Sequence, residues 1–166
     1  MRFKLSPELC YISGLAGRSG ESERSAVGIR TQSDEIEERF IKYAMALGVD
    51  SKKILIEEQG SFKHIYFYHS KLARMIREIL KDKTRLARNR ALAAEFLAGT
   101  FDSSGHIRGG TVTIGRLDKG DELLLELLGI HTASFKVLNI KQFMELISSA
   151  SILLNARLQA PPKGAA

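Results

Sequence analysis

The sequence predicts an α/β (α+β) chain built from two related halves, on three observations. Under a shift of 85 residues, Ile12, Gly14, Ser19, Gly20, Val27 and Ile29 fall on Leu97, Gly99, Ser104, Gly105, Val112 and Ile114, and self-similarity of this kind marks a repeated unit. In each unit, segments with a helical apolar period alternate with short strand-like segments. Each unit also opens on an apolar run with small residues inside it, ISGLAG and FLAGTF. Glycine inside a helix costs about 1 kcal/mol against alanine, so some packing advantage must offset it.

In the first half, LSPELCYISGLAG opens the first helix. Ser6 is its N-cap, Pro7 takes the first helical position and Glu8 lies in the first turn. SAVGIRTQ is a strand. Ser33 caps DEIEERFIKYAMAL, whose Ile36, Phe40, Tyr43, Ala44 and Leu47 share a face, and Gly48 ends it. KILIEEQGSFKHIYFYH reads as a hairpin turning near Gly60. KLARMIREIL closes the half, with Leu72, Met75, Ile76 and Ile79 facing inward.

The second half repeats this plan in shorter form. A helix runs through FLAGTF, strand material follows in HIRGGTVTIGR, and DELLLELL is a helix. SFKVL is a strand with no second hairpin arm after it, and IKQFMELISSASILL reads as one helix. The expected boundaries are 1–80 for the first repeat, 81–90 for a basic linker, 91–155 for the second repeat and 156–166 for a flexible tail. The linker, KDKTRLARNR, carries Lys81, Lys83, Arg85, Arg88 and Arg90.

Composition narrows the function. Apolar residues make up 44% of the 166, enough for a buried core. No apolar run approaches the ~20 residues of a membrane span, and MRFKLSPEL lacks a signal-peptide core. Cys10 is the single cysteine, which excludes an internal disulfide; with four scattered histidines it gives no zinc spacing. The expectation is a cytoplasmic protein without a membrane partner. A net charge of +6 tilts the partners toward nucleic acid.

LAGTFDSSG, 97–105, resembles the LAGLIDADG motif of homing endonucleases, sharing Leu97, Ala98, Gly99, Asp102 and Gly105 at matched positions. ISGLAGRSG, 12–20, is a worn copy at the equivalent place in the first half. The chain is also similar to the degenerate LAGLIDADG domain of bacterial sporulation-type transcription regulators. The resemblance implies two pseudo-twofold related halves, a central helix pair, and two curved antiparallel sheets forming a saddle over double-stranded DNA. With both halves in one chain, it implies a monomer. Ser13, Gly14 and Gly17 in one helix, and Ala98, Gly99 and Ser103 in the other, are then the small residues that let two backbones approach.

The resemblance also sets an expectation for chemistry. Family endonucleases use a carboxylate at the eighth motif position of each copy to hold divalent metal. Magnesium asks for hard oxygen ligands, one or two of them carboxylates, and the metal then stabilises attacking and leaving oxygens. Here the eighth positions are Ser19 and Ser104, so no cofactor is expected. Asp102 lies two residues before Ser104, about 200° round the helix. Asp102 and Glu21, which is followed by Glu23, are the alternative acids if Mg²⁺-dependent cleavage persists. Candidate DNA contacts on the strands and their flanks are Arg24, Arg30, Lys53, Lys63, His64, Arg108, Arg116 and Lys136. The expected function is double-stranded DNA binding without cleavage. The alternatives are an endonuclease with non-standard acids and a protein-interaction module on the same fold.

Overall fold

The computed structural model describes residues 3–17 and 25–159. Helix α1 (Pro7–Ala16) starts where Ser6 Oγ accepts from the Leu9 amide, with proline in the first turn. Strand β1 (Ala26–Thr31) leads to α2 (Asp34–Ala46), which Ser33 caps through the Ile36 amide at 3.2 Å. Gly48, at φ 90°, turns the chain out of α2 in a conformation that β-carbon-bearing residues avoid. Strands β2 (Leu55–Gln59) and β3 (Phe62–Tyr68) form the hairpin expected around Gly60, and α3 (Ser70–Lys81) completes the half.

Residues 83–88 then form a short 3-10 segment, and α4 (Arg90–Ser104) opens the second half from an Asn89 cap. A hairpin of β4 (Gly105–Arg108) and β5 (Thr111–Ile114) follows. Its turn is Gly109-Gly110, both at positive φ, the turn geometry whose twist matches the flanking strands. Helix α5 (Lys119–Leu127) begins in a reciprocal box between Asp118 and Asp121. Strands β6 (Thr132–Ala133) and β7 (Lys136–Val137), then α6 (Ile140–Ile147) and α7 (Ile152–Gln159), end the described chain.

The two sheets are antiparallel, ordered β1-β3-β2 and β4-β5-β7-β6. The predicted fold class holds, and two details differ. SFKVL is the second arm of a hairpin; the first arm is the two-residue β6 upstream, too short to carry a period. The strand material in HIRGGTVTIGR divides into two strands. Residues 140–154 are two helices, because Ser151 leaves the helix to cap α7, its Oγ accepting from the Leu154 amide.

The connector is no solvated linker at Lys83. That side chain is 5% exposed, and its ammonium bonds to Asp118 at 2.5 Å and to fully buried Asp121 at 2.8 Å. Arg85 pairs with Asp82. No helix among the described residues is long and apolar enough to cross a membrane.

Candidate functional site

The site grows from the joint between α1 and α4, and glycine sets its spacing. A β-carbon on Gly14 would lie 2.0 Å from the Phe96 carbonyl oxygen and 2.8 Å from the Thr100 nitrogen. One on Gly99 would lie 2.2 Å from the Tyr11 carbonyl oxygen and 3.0 Å from the Leu15 nitrogen. Tyr11 and Leu15 are the 85-residue equivalents of Phe96 and Thr100, so the two contacts are twofold copies of each other. Main chain packs on main chain, which only glycine permits. Ser13 and Ala98 are fully buried beside them, and Ser13 Oγ turns its donor back to the Leu9 carbonyl.

Two of the small residues placed at this joint stand elsewhere. Gly17 ends α1 and faces α3: its β-carbon would meet Leu80 Cδ2 at 2.7 Å. Ser103 is exposed, one helical turn beyond Gly99 at the foot of α4. Both lie beyond the closest approach, and the spacing of small residues does not mark where that approach ends.

Asp102 is the one candidate acid among the described residues, and it is bound up in structure. Its carboxylate accepts from Tyr11 Oη at 2.7 Å, Ser151 Oγ at 2.5 Å, and the Ile152 and Leu153 amides at 2.8 and 3.1 Å. It caps α7 from another helix and favours that helix's positive end. With four donors on its two oxygens it is a structural acid, not the alternative metal ligand. Tyr11's hydroxyl is pushed far up in pKa, first by burial and then by the Asp102 charge it donates to. Sequence reasoning could not see this, because the partner groups are 91 and about fifty residues away.

Ser104 ends α4. Its hydroxyl lies 3.0 Å from the Gly115 carbonyl and 3.2 Å from that of Thr100, and the Gly115 amide donates back to the Ser104 carbonyl. Ser19, Glu21, Glu23 and Arg24 lie outside the described residues.

At the feet of α1 and α4 a cleft of ≈ 540 Å³ opens between the sheets. Leu15 and Ile29 form its apolar floor, and Arg30, Thr31, His106 and Arg116 line its walls. Arg30 and Thr31 are the repeat equivalents of Gly115 and Arg116, so the cleft straddles the pseudo-twofold axis. Arg116 holds φ 58°, a left-handed conformation uncommon for a long side chain and concentrated at functional places. A divalent ion needs carboxylate oxygens here. The described lining offers arginines, an imidazole, hydroxyls and one saturated carboxylate, and no group of three His, Cys, Asp or Glu occurs among the described residues. These residues do not fit a magnesium ion.

The strand register sorts the remaining candidates. In the first sheet, Arg30, His64 and Glu57 stand in one cross-strand row on the outer face, and Tyr66 and Leu55 in the next. His64 stacks on Tyr66 with ring centroids 4.6 Å apart, and Tyr66 donates to Glu57 at 2.6 Å. Lys63 is on the other face. Its ammonium bonds to Asp34 at 2.8 Å and Glu37 at 2.6 Å, which raise its pKa. The period-2 rule turns it toward α2 and away from the outer face, so it is not placed with the other candidate contacts. Lys53 is exposed in the turn before β2. In the second sheet His106, Thr113 and Lys136 form one outer row and Arg108 and Thr111 another. His106 is not among the contacts expected from sequence; its place one residue after Gly105, in strand alternation with Arg108, is the signal that could have found it.

Two glycine-locked helices on a dyad, each followed by an antiparallel sheet, define the LAGLIDADG fold, and this chain has it. I-DmoI in complex with DNA and Ca superposes with a TM-score of 0.67 at 14% identity, over 93% of this chain and 98% of that one. The N-terminal LAGLIDADG domain of DUF199/WhiA superposes with a TM-score of 0.60 at 16% identity, over 89% of this chain and 85% of that one. In sequence, the chain is 32% identical over 130 residues to an A-type ATP synthase subunit from Methanopyrus kandleri, covering 74% of this chain. It spans only 13% of that protein's length. No family model matches the chain.

Proposed function

We propose that this chain binds double-stranded DNA along the outer faces of its two sheets and does not cut it. One observation carries the reading: β4, β5, β6 and β7 present Arg108, Lys136, His106, Thr111 and Thr113 outward and contain no acidic residue. A sheet face of cations and hydroxyls suits phosphates and base edges. The fold supports it, since I-DmoI was solved in complex with its target DNA. Arg30 and the His64–Tyr66 stack supply the first sheet's share. Ser104, which has no charge, and Asp102, which is committed to α7, support the absence of cleavage. The chain matches only 13% of the archaeal ATP synthase protein, which gives no reason to assign ATP synthesis.

Duplex binding followed against salt is the test. Four to five phosphate contacts predict a log–log slope of about −4. Selection from a random duplex library should return a preferred site. Supercoiled plasmid with Mg²⁺ or Mn²⁺ should stay uncut; nicking that EDTA abolishes would restore the endonuclease reading. No duplex binding at low salt would leave the protein-interaction module.

A further inference from the structure

The cleft at the feet of α1 and α4 lies on the axis between the two sheets, yet its described lining is cationic. We propose that it is a phosphate clamp: Arg30 from the first half and Arg116 from the second neutralise a DNA phosphate directly, with His106 as a further donor. A divalent ion is then not required for binding. This rests on the DNA-binding reading above.

Three features of the site support the assignment. First, the two arginines come from adjacent positions of the repeat, Arg30 matching Gly115 and Arg116 matching Thr31. One cation therefore reaches the axis from each side even though the repeat itself is broken there. Second, the backbone at Arg116 is held against its preference. The Ser104 carbonyl accepts from the Gly115 amide at 2.9 Å, and Ser104 Oγ lies 3.0 Å from the Gly115 carbonyl. The hydroxyl at the motif's eighth position thus fixes the residue before Arg116 instead of holding metal. A left-handed arginine persists only where its surroundings over-determine it. Third, the one carboxylate in the described lining, Asp102, has four donors on it, so it does not compete for the Arg116 guanidinium. Arginine is suited to the task, because its planar fork meets phosphate oxygens in two parallel charge-assisted bonds.

The test uses the full chain in two arms. In the first, duplex affinity is measured in EDTA and in Mg²⁺ at matched ionic strength. Wild type should bind equally in both, within about twofold. Arg116→Gln should bind about tenfold more weakly with a salt slope smaller by about 1, and Arg116→Lys should recover the slope but only part of the affinity. Gln and Lys carry the same backbone strain as Arg at this position, so their difference reads charge and not folding. In the second arm, inorganic phosphate is titrated against chloride while the arginine Nε–Hε signals are followed by NMR. Signals of Arg30 and Arg116 should shift, and that of Arg77 on α3 should not. Tenfold tighter binding with Mg²⁺, or an unchanged slope in Arg116→Gln, overturns the clamp while leaving DNA binding intact. Phosphate shifts without any duplex binding would uphold the anion site and remove the DNA reading.

Discussion

The two halves agree at the joint and disagree at the feet. At the joint, each glycine meets the main chain of the other helix at equivalent residues, and the distances differ by only 0.2 Å, 2.0 against 2.2. Below it, the same slot is filled in two ways. Gly17 in the first half packs against the Leu80 methyl groups of α3. Asp102 in the second half caps α7. The contrast recurs in the helix after the first strand. Ile36 of α2 is apolar core, whereas its repeat equivalent Asp121 of α5 is a fully buried acid answered by Lys83. Twofold symmetry is kept where backbones touch and abandoned where side chains can exchange an apolar contact for a polar one.

The largest predicted effect tests the kept symmetry. Gly14→Ala and Gly99→Ala should each cost on the order of 4 kcal/mol in chemical denaturation, because the added carbon meets backbone that cannot rotate aside. A large gap between the two would break the equivalence. Next is the lost symmetry at the feet. Asp102→Ala should cost about 3 kcal/mol, since two hydroxyls and two amides lose their acceptor in the interior. Gly17→Ala, in the matching slot, should cost about 1 kcal/mol or less, because the Leu80 tip can swing away.

Lys83→Met should cost about 3 kcal/mol by leaving Asp121 buried without its cation, and it should also change the acid limb. Burial raises the Asp118 carboxyl, but the Lys83 hydrogen bond and the Asp121 amide outweigh it, so its pKa is lowered. A depressed folded pKa gives stability that is present above the ordinary aspartate value and lost as pH falls through the lowered one. Lys83→Met should flatten stability against pH in that acid window. The smallest effect compares two surface lysines. Lys63→Ala should leave duplex affinity and its salt slope unchanged, because Asp34 and Glu37 hold its ammonium away from the outer face. Lys136→Ala should lower the salt slope by about 1.

How much of this can be read from the chain follows from the range of each interaction. The 85-residue repeat, the Ser6 and Ser33 caps, and the tight approach at Gly14 and Gly99 are legible, because residue type and spacing encode them locally. The split at 148–151 is not, since it depends on a carboxylate about fifty residues earlier capturing α7. Lys63 illustrates the period-2 problem: composition places it with the cations, and only register places it on the inner face. The Gly109-Gly110 turn does carry a local signal within the strand material around it. Cys10 and Glu95 occupy equivalent repeat positions, yet burial and the nearby Glu95 charge lift the thiol to about 12. Native Cys10 should therefore resist alkylation until the chain unfolds.

A joint made from main chain asks almost nothing of the letters around it. What it requires is one hydrogen at Gly14 and another at Gly99, where any β-carbon would strike main chain. I-DmoI has the same shape at 14% identity.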